Sequence, residues 1–536
     1  MIFPIGIQSF DKIITGGYVY VDKTEFIYSL AHEGNVYFLS RPRRFGKSLL
    51  VSTLQCYFEG RKELFKGLAI EKLETEWKTY PVFRIDFNGT DFSESNILAN
   101  NILGYVKGWE RQYGVEPDES VSSGERFAKV LAEAHRQTGL RCVVLVDEYD
   151  KPLLDVMDSG KMVEFEGEKL TIEERNRNVL KAFYSTFKKA DDDLQFVFLT
   201  GVTKFSQISV FSGFNQPRDI SMNERYSTIC GITEEEIDLY FQEQIEEFAA
   251  CKSVSKVEMR KLLRRKYDGY HFCSDLHAVY NPFSLLNSLA DLKLRNYWFS
   301  TGTPTYLVRL LNHFDENIDD IISKSYDSSQ FVDYRADREL PLPMIYQSGY
   351  LTIKGYNRRR EKYLLDFPND EVRRGFVSIL ANNYLNTPDE VESWLDRLLD
   401  ALDEADLEKF RVNLTAFLAS IPYTSRRSSS EHEMERYFHY TFYLILSLAS
   451  TYVVYTEKCQ SQGRVDCVIE TDDYIYIFEF KLNGTAQQAL DQIESQGYAA
   501  EYAADPRQLF KVGCSFSSET GTISDFAVNS RSSVNS

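Results

Sequence analysis

Asn35–Val51, NVYFLSRPRRFGKSLLV, is the stretch of sequence that decides the fold. Its first part, Val36–Leu39, is a short apolar run of the kind that forms a buried strand, and Ser48–Val51 opens a second apolar stretch that favours a helix. A compact polar loop joins the two. A loop in this position presents free backbone N–H groups and the positive end of a helix dipole, and both attract anions.

The loop Arg41–Ser48 matches the phosphate-binding motif G-x-x-x-x-G-K-[ST] at every fixed position except the first, where Arg41 replaces glycine. In this motif Lys47 would reach the β- and γ-phosphates of a nucleotide, and the Ser48 hydroxyl would ligate Mg²⁺. A bare Gly-Lys-Ser triplet also occurs in ordinary surface turns, but the flanking strand and helix favour the phosphate loop. Because Arg41 has a side chain, we expect the loop entry or the phosphate position to differ from the usual one. The predicted nucleotide contacts of the loop are Arg43, Arg44, Phe45, Gly46, Lys47 and Ser48.

A second apolar strand ends in acidic residues. Cys142–Val146 is a continuous apolar run that predicts a central parallel strand, and Asp147 and Glu148 follow it directly. Open α/β sheets bind their ligands at the carboxyl ends of the strands. In the Walker B arrangement, Asp147 would hold Mg²⁺ and Glu148 would orient the attacking water. Together with Lys47, these acids make nucleotide binding the leading interpretation.

A third strand of the same sheet is predicted at Leu194–Gly201. Thr200 lies at its end, and Thr203 and Lys204 follow, where a sensor of the γ-phosphate would sit. We predict Thr200 as a nucleotide contact. A strand that simply ends in a turn is the alternative.

The composition describes a globular protein of several domains. The chain has 536 residues, 43% of them hydrophobic, and a net charge of −19, which excludes a polycationic nucleic-acid coat but leaves room for a local basic groove. The cysteines are scattered without a C-x-x-C pair, and the N-terminus lacks an export signal. Residues 437–455 lack charged side chains, but polar residues interrupt them, so we expect a buried helix running into a strand rather than a membrane span. We therefore expect a cytoplasmic protein.

A further chemical site is predicted near the C-terminus. Gly463–Glu470 and Tyr474–Lys481 have the pattern of two strands in a hairpin. Asp466 lies in the first strand, and Glu479 and Lys481 project from one face of the second. Two carboxylates can hold Mg²⁺, and a lysine can orient or polarise water for phosphodiester cleavage. A plain surface pair of Glu479 and Lys481 is the alternative.

Seven segments together resemble the bacterial AAA-ATPase-like proteins that carry a PD-(D/E)XK nuclease-like domain. The resemblance extends over nearly the whole chain. This family tolerates an arginine at the position of Arg41, in loops similar to the G-P-R-R-x-G-K-[ST] loops of signal-transduction ATPases, which implies a modified rather than an inactive site. The segments are Pro4–Gln8, Tyr20–Thr24, Arg41–Ser48, Val146–Pro152, Tyr267–Phe272, Tyr280–Ser284 and Tyr297–Pro304.

The resemblance implies ATP and Mg²⁺ as cofactors and a D…E-x-K nuclease arrangement in the C-terminal hairpin. In that superfamily the helix before the hairpin supplies a first acid, which implies Glu435, with Glu433 as a substitute. Gln492 resembles a polar residue often found on the following helix. The implied metal ligands of the second site are therefore Glu435, Asp466 and Glu479. The Pro-Asp pair of the superfamily becomes Val465-Asp466 here, which leaves cleavage undecided.

We predict an α/β fold with four parts and a tail. These are a P-loop ATPase core with a parallel sheet at 1–230, a helical lid region at 231–318, a mixed region that a winged helix would fit at 319–424, a restriction-endonuclease-like α/β domain at 425–516, and a disordered tail at 517–536. In the lid region, Thr233 and Glu236 predict a helix start, and the aromatic motifs either pack as a core or line a ligand surface. In the mixed region, Arg358–Arg360 forms a hairpin tip that either contacts phosphates or is a solvated turn.

Three functions fit these patterns. The first is an ATP-binding and ATP-hydrolysing protein coupled to a Mg²⁺-dependent nuclease that acts on DNA or RNA. The second is a nucleotide-dependent switch that binds nucleic acid or protein through an inactive nuclease-like module. The third is a scaffold with neither activity. The expected partners are ATP and a nucleic acid, with no membrane, and the oligomeric state is left open.

Overall fold

The computed structural model describes residues 1–157, 159–165, 167–205, 217–300, 321–322, 324–333, 342–385, 391–420, 441, 453–460 and 463–531. The chain divides into two compact units. The first consists of Met1–Glu316 and Asp320–Glu371, and the second of Asn317–Asp319 and Val372–Ser536. The four-part division predicted from the sequence stays a proposal.

The first unit is built on a five-stranded parallel sheet with the order β2-β3-β6-β1-β7. The strands of this unit are β1 (Val36–Ser40), β2 (Val82–Asp86), β3 (Cys142–Asp147), β4 (Met162–Phe165), β5 (Glu168–Thr171), β6 (Leu194–Gly201), β7 (Arg218–Asp219), β8 (Ser325–Tyr326), β9 (Thr352–Asn357) and β10 (Lys362–Asp366). Every residue of β3 is buried, as expected for a central parallel strand that is covered on both faces. The carboxyl ends of β1, β3 and β6 therefore meet at one edge, where the loop and the acids lie.

Helices surround this sheet and extend the first unit beyond it. The described helices are Phe10–Thr15, Thr24–Glu33, Lys47–Phe58, Ile70–Leu73, Ile97–Tyr113, Ser123–Thr138, Lys151–Leu154, Ile172–Tyr184, Thr186–Lys189, Glu234–Tyr240, Gln242–Lys252, Lys256–Tyr267, Pro282–Asp291, Tyr297–Ser300, Ser328–Phe331 and Leu342–Gln347. The predicted helix start is confirmed, because Thr233 and Glu236 make both hydrogen bonds of a capping box. The helices that follow pack a core of their own around Phe241, Phe248 and Leu263.

Two smaller sheets complete the first unit. β4 and β5 form an antiparallel ribbon, and β8, β10 and β9 form an antiparallel sheet in that order. The predicted hairpin is thus present as β9 and β10, with Arg358–Arg360 exposed at its turn. The helix Asp370–Leu385 begins in the first unit and continues into the second.

The second unit contains one five-stranded mixed sheet in sequence order. Its strands are β11 (Val453–Gln460), β12 (Gly463–Glu470), β13 (Tyr474–Leu482), β14 (Gln508–Phe516) and β15 (Ile523–Arg531), and its further helices are Val391–Asp403, Leu407–Ser420 and Ala486–Ser495. β13 and β14 are parallel, and the helix Ala486–Ser495 lies between them in sequence. The helix that forms this crossover packs against β13, β14 and β15.

The prediction of a disordered tail at 517–536 is wrong for part of that range. Ile523–Arg531 is a strand that pairs with β14 over almost its full length. The Ser- and Asn-rich composition of the tail suggested disorder. A long, buried neighbour can nevertheless recruit an edge strand of weak intrinsic preference, because backbone hydrogen bonds do not depend on the side chains.

The described helices include none that is both long enough and apolar enough to cross a membrane. Most of the stretch 437–455, which the sequence analysis weighed as a span, lies outside the described residues, and its last residues belong to β11.

Candidate functional site

The loop predicted to bind phosphates lies between the end of β1 and the helix Lys47–Phe58. Gly46 has a φ of 92° at the helix N-cap, and Arg44 has a φ of 66°, so the loop turns sharply into the helix through left-handed conformations. Arg43 and Arg44 are exposed, and the Arg44 guanidinium lies 5.1 Å from the centre of the Phe283 ring. The loop thus presents two cationic side chains to solvent.

Phe45 anchors this loop to the protein. Its buried ring meets Tyr270 and Phe272 edge-on, with ring centres 4.7 and 5.5 Å apart. The motif Tyr267–Phe272 is therefore a packing support for the loop, which agrees with the core alternative for the aromatic motifs.

Arg41, at the position where the motif has glycine, points its side chain away from the loop. The guanidinium donates to the backbone carbonyls of Ser40 (2.9 Å), Ser221 (2.7 Å) and Tyr226 (3.1 Å), and it lies 4.0 Å from the centre of the Phe272 ring. Burial lowers the pKa of Arg41 from its ordinary value. The Arg41 side chain is thus held by carbonyl oxygens and an aromatic face. The loop can therefore form without glycine at this position.

Lys47 is buried, and its ammonium group is held by the loop itself. Lys47 Nζ donates to the carbonyls of Arg41 (3.1 Å) and Pro42 (3.2 Å) and lies 3.5 Å from Glu148 Oε1. The structure therefore brings together the lysine and the acid that the sequence placed about one hundred residues apart.

Asp147 is fully buried beside the first turn of that helix. Among the residues that the structure describes, neither of its carboxylate oxygens has a hydrogen bond of ordinary geometry, although Arg84 Nη2 lies 3.7 Å from Oδ2. Burial and the nearby Glu148 raise the pKa of Asp147 from 3.8 to about 6, and the Ser48 hydroxyl acts in the opposite direction. A buried carboxylate beside a hydroxyl, with open lone pairs, fits a hard divalent cation such as Mg²⁺.

Glu148 follows Asp147 in a strained backbone conformation. Its φ is 51°, an uncommon value for a residue with a side chain, and its side chain is partly exposed. Strain of this kind costs about 1–3 kcal/mol and concentrates at functional sites. The conformation turns the carboxylate of Glu148 out of the strand and towards Lys47.

Asp150 belongs to the same site, although the sequence analysis assigned it no role. It is fully buried, and its Oδ2 accepts hydrogen bonds from the backbone N–H groups of Val202 (2.9 Å) and Thr203 (2.6 Å). Burial and the charge of Glu148 raise its pKa well above the ordinary value. Asp150 thus fixes the loop after β6 to the acidic end of β3. Its place two residues after Glu148 was the one signal available in the sequence.

Thr200 and Lys204, which the sequence suggested as a sensor of the γ-phosphate, contact other protein groups in the structure. The buried hydroxyl of Thr200 donates to the carbonyl of Leu39 on β1, at 2.9 Å. Lys204 forms ion pairs with Asp219 (3.0 Å) and Asp333 (3.2 Å). Thr200 thus joins β6 to β1 at the ends of these strands, and its contact with a nucleotide stays a prediction.

A cavity with largely apolar walls lies beside the loop. Phe45, Gly46 and Leu49 line one side of it, and Tyr20 and Ile232 are among the residues that line the rest. A cavity next to a phosphate loop with mostly apolar walls suits a nucleotide base. The segment Tyr20–Thr24, for which a position beside the base was considered, contributes to its wall.

The second predicted site lies on β12 and β13. Asp466 Oδ2 accepts a hydrogen bond from the backbone N–H of Phe480 at 2.7 Å, and Lys481 Nζ lies 3.5 Å from Glu479 Oε1 and donates to Gln492 Oε1 at 2.8 Å. Asp466, Glu479, Lys481 and Gln492 are therefore brought together, as the sequence predicted.

Glu479 is the most unusual group of this second site. It is buried, and within the described residues its Oε2 has no hydrogen-bond partner. Burial, followed by the charge of Asp466, raises its pKa well above the ordinary value, while Lys481 acts against this rise. Such a group is expensive to bury unless a cation or a proton accompanies it.

The third acid predicted for this metal site cannot be placed. Glu435 and its substitute Glu433 lie outside the described residues. Within the described part of the chain, no group of three His, Cys, Asp or Glu side chains is close enough together to hold a metal ion. Asp466 and Glu479 are thus the two acids of this predicted site that the structure describes.

Comparisons with known proteins identify the two domain families that the sequence resembles. A family model described as "Predicted AAA-ATPase" matches residues 4–211, and one described as "PD-(D/E)XK nuclease superfamily" matches residues 433–526. A protein of Azotobacter chroococcum mcd 1, named "Uncharacterized protein in vnfD 5'region", is 36% identical over 535 residues, which cover 98% of each chain. The parallel sheet, the phosphate loop and the acidic strand end define a P-loop ATPase fold. The chain belongs to the family of predicted AAA-ATPases that carry a C-terminal PD-(D/E)XK nuclease-superfamily domain.

Proposed function

We propose that this protein binds ATP with Mg²⁺ at the loop Arg41–Ser48 and hydrolyses it. The observation that carries the proposal is the meeting of Lys47, Asp147 and Glu148 at one edge of the sheet, with the carboxylate of Asp147 buried and open to a cation. The apolar cavity beside the loop supports a nucleotide rather than a free phosphate, because it offers a place for a base.

Each residue then has a defined task. Lys47 is held by two loop carbonyls and lies near Glu148. With ATP bound, its ammonium group would contact the phosphate oxygens instead. Ser48 and Asp147 would hold Mg²⁺, which neutralises charge on the phosphate oxygens when bound. Glu148, released from Lys47, would accept a proton from the attacking water. Arg43 and Arg44, exposed at the loop, would face the negative nucleotide.

A comparison of hydrolysis and binding tests this proposal. We expect Glu148→Gln to retain ATP binding but to lose at least 90% of phosphate release, because the amide cannot take up the proton. Glu164→Gln, on the ribbon strand β4, serves as the matched control. Equal turnover by the wild type and Glu148→Gln would remove Glu148 from the mechanism, and absence of turnover in the wild type would refute the ATPase.

We propose a second activity, Mg²⁺-dependent cleavage of nucleic-acid phosphodiesters, for the C-terminal domain. The supporting observation is the buried, unpartnered oxygen of Glu479 beside Asp466, next to a lysine held in place by Gln492. Asp466 and Glu479 would hold Mg²⁺, with Glu435 as a further ligand. Lys481 would orient the attacking water and stabilise the negative charge that develops on the phosphate oxygens.

A gel assay with single-stranded and double-stranded DNA and RNA, with and without ATP, tests the nuclease. Asp466→Ala should abolish both Mn²⁺ binding at this site and cleavage, whereas Lys481→Ala should bind Mn²⁺ and not cleave. If the wild type binds nucleic acid with salt-dependent affinity but never cleaves it, the binding-only alternative holds. In that case the exposed tip Arg358–Arg360 is the first surface to examine for phosphate contacts.

We also propose a cytoplasmic location. The cysteine side chains that the structure describes form no disulfide, and most are buried, as expected in a reducing compartment.

A further inference from the structure

Trp298 contacts the backbone of the phosphate loop. Its indole Nε1 donates a hydrogen bond of 3.0 Å to the carbonyl oxygen of Arg43, and the tryptophan is buried. The side chain of Arg43 is exposed at the same time. The loop is therefore held at this residue by its backbone, while the charged side chain is left free.

A hydrogen bond to this carbonyl also sets the direction of the next N–H group. In a trans peptide the C=O of one residue and the N–H of the next point in opposite directions. Because Arg43 C=O points to Trp298, Arg44 N–H points to the other side of the loop. Arg44 has a φ of 66°, which is unfavourable for a residue with a side chain, so this turn needs an external contact to keep its shape.

Trp298 is in turn held by a buried acid. Its backbone N–H donates to Glu371 Oε1 at 2.7 Å, and the Ser284 hydroxyl donates to Glu371 Oε2 at 2.7 Å. Tyr350 packs edge-on against the indole, with ring centres 5.1 Å apart. Burial raises the pKa of Glu371 from 4.5 to about 7, against the effect of these two hydrogen bonds.

The contacts thus form a chain from Glu371 through Trp298 to the Arg43–Arg44 peptide. We propose that Trp298 and Glu371 are positioning residues of the nucleotide site, which hold this peptide so that Arg44 N–H is a fixed donor for the nucleotide phosphates. This inference rests on the proposed binding of ATP. It assigns a task to the segment that begins at Tyr297, which the predicted function left without one.

The variant Trp298→Phe tests the indole N–H directly, because phenylalanine keeps an aromatic ring against Tyr350 but cannot donate. Trp109→Phe is the matched control, since Trp109 packs against Phe127 and against Phe83 of the edge strand β2, which β3 and β6 separate from β1. We expect the Kd for Mg²⁺-ATP to rise roughly fivefold to tenfold in Trp298→Phe, the range for one lost hydrogen bond. The Kd for adenosine, which lacks phosphates, should be unchanged. Equal ATP affinities of the two variants would overturn the proposal.

Variants of Glu371 separate positioning from folding. Glu371→Gln keeps an acceptor for Trp298 N–H and should retain wild-type ATP affinity, whereas Glu371→Ala should weaken ATP and not adenosine. The double variant Trp298→Phe/Glu371→Ala should be no weaker than the more affected single variant, because both changes act through the same peptide. Additive losses, or equal losses for ATP and adenosine, would show a general structural role and contradict the proposal. A wild type that binds adenosine but gains nothing from the phosphates would refute the proposed ATP site itself, and a wild type that binds ATP while Trp298→Phe binds it equally well would refute only the positioning role.

Discussion

Replacing Asp147 with asparagine should stabilise the nucleotide-free protein while it removes Mg²⁺-dependent ATP binding. Asp147 is fully buried, and its pKa is raised from 3.8 to about 6, mainly because burial disfavours the ionised carboxylate. A tenfold change in proton affinity corresponds to about 1.4 kcal/mol, so ionisation of Asp147 costs the folded state about 3 kcal/mol.

The sign of this effect follows from the raised pKa. Below pH 3.8 the group is protonated in both states, and no stability is lost. Between pH 3.8 and about 6 the unfolded chain releases this proton while the folded chain still holds it, so the free energy of unfolding falls as the pH rises. Asparagine has no such titration, but its amide needs an acceptor, for which the Ser48 hydroxyl is available. We therefore expect a net gain of about 1–3 kcal/mol for Asp147→Asn at pH 7.5 and almost none near pH 4.

Amide hydrogen exchange of β3, compared between the wild type and the variant at the same pH, measures this gain locally and does not require two-state unfolding. The control is Asp118→Asn, because Lys129 and Ser120 lower the pKa of the partly exposed Asp118 and its replacement should not stabilise the protein. With saturating Mg²⁺-ATP the order should reverse, since only the wild type gains binding energy. A less protected Asp147→Asn at pH 7.5 without ligand would refute the reasoning.

Three further outcomes follow from the geometry. Arg41→Lys should lower the free energy of unfolding by about 2–4 kcal/mol, because one ammonium group cannot reach all three carbonyls of Ser40, Ser221 and Tyr226. An unchanged urea midpoint would show that these three hydrogen bonds do not stabilise the fold. Thr200→Val should cost about 1 kcal/mol of stability and leave ATP turnover within twofold of the wild type, whereas a tenfold loss of turnover would restore Thr200 as a sensor. Mn²⁺ affinity at the second site should rise steeply between pH 6 and the raised pKa of Glu479 and then level off, because the metal must displace the proton of the Glu479 carboxyl group. A calorimetric affinity that does not change with pH, or the same pH profile in Glu479→Gln, would count against Glu479 as a ligand.

The sequence predicted the sheet and its functional edge well, because continuous apolar runs mark buried parallel strands. β1, β3 and β6 lie within one or two residues of the predicted ranges. β7 was missed because Arg218–Asp219 is only two residues long and has no apolar pattern. The strand β15 was missed because its composition resembles that of a disordered tail.

The site was predicted in its residue types and less well in its contacts. Lys47, Asp147 and Glu148 carry their chemistry in short motifs, and those motifs placed them correctly at one edge of the sheet. The orientation of Arg41 depends on carbonyls that are contributed by residues about 180 positions further along the chain, which no local pattern contains. The same holds for Trp298, whose contact with Arg43 spans 255 residues. Contacts of this kind depend on the tertiary fold and are visible only in the structure.

Calorimetric titration of Mg²⁺-ATP into the wild type, Lys47→Ala and Asp466→Ala tests the central claim most directly. Lys47 Nζ is a buried cation of the phosphate loop beside Glu148, whereas Asp466 lies in the second unit and belongs to the other proposed site. The account predicts saturable binding to the wild type and to Asp466→Ala with the same Kd, and no measurable binding to Lys47→Ala. An unchanged Kd in Lys47→Ala would contradict it.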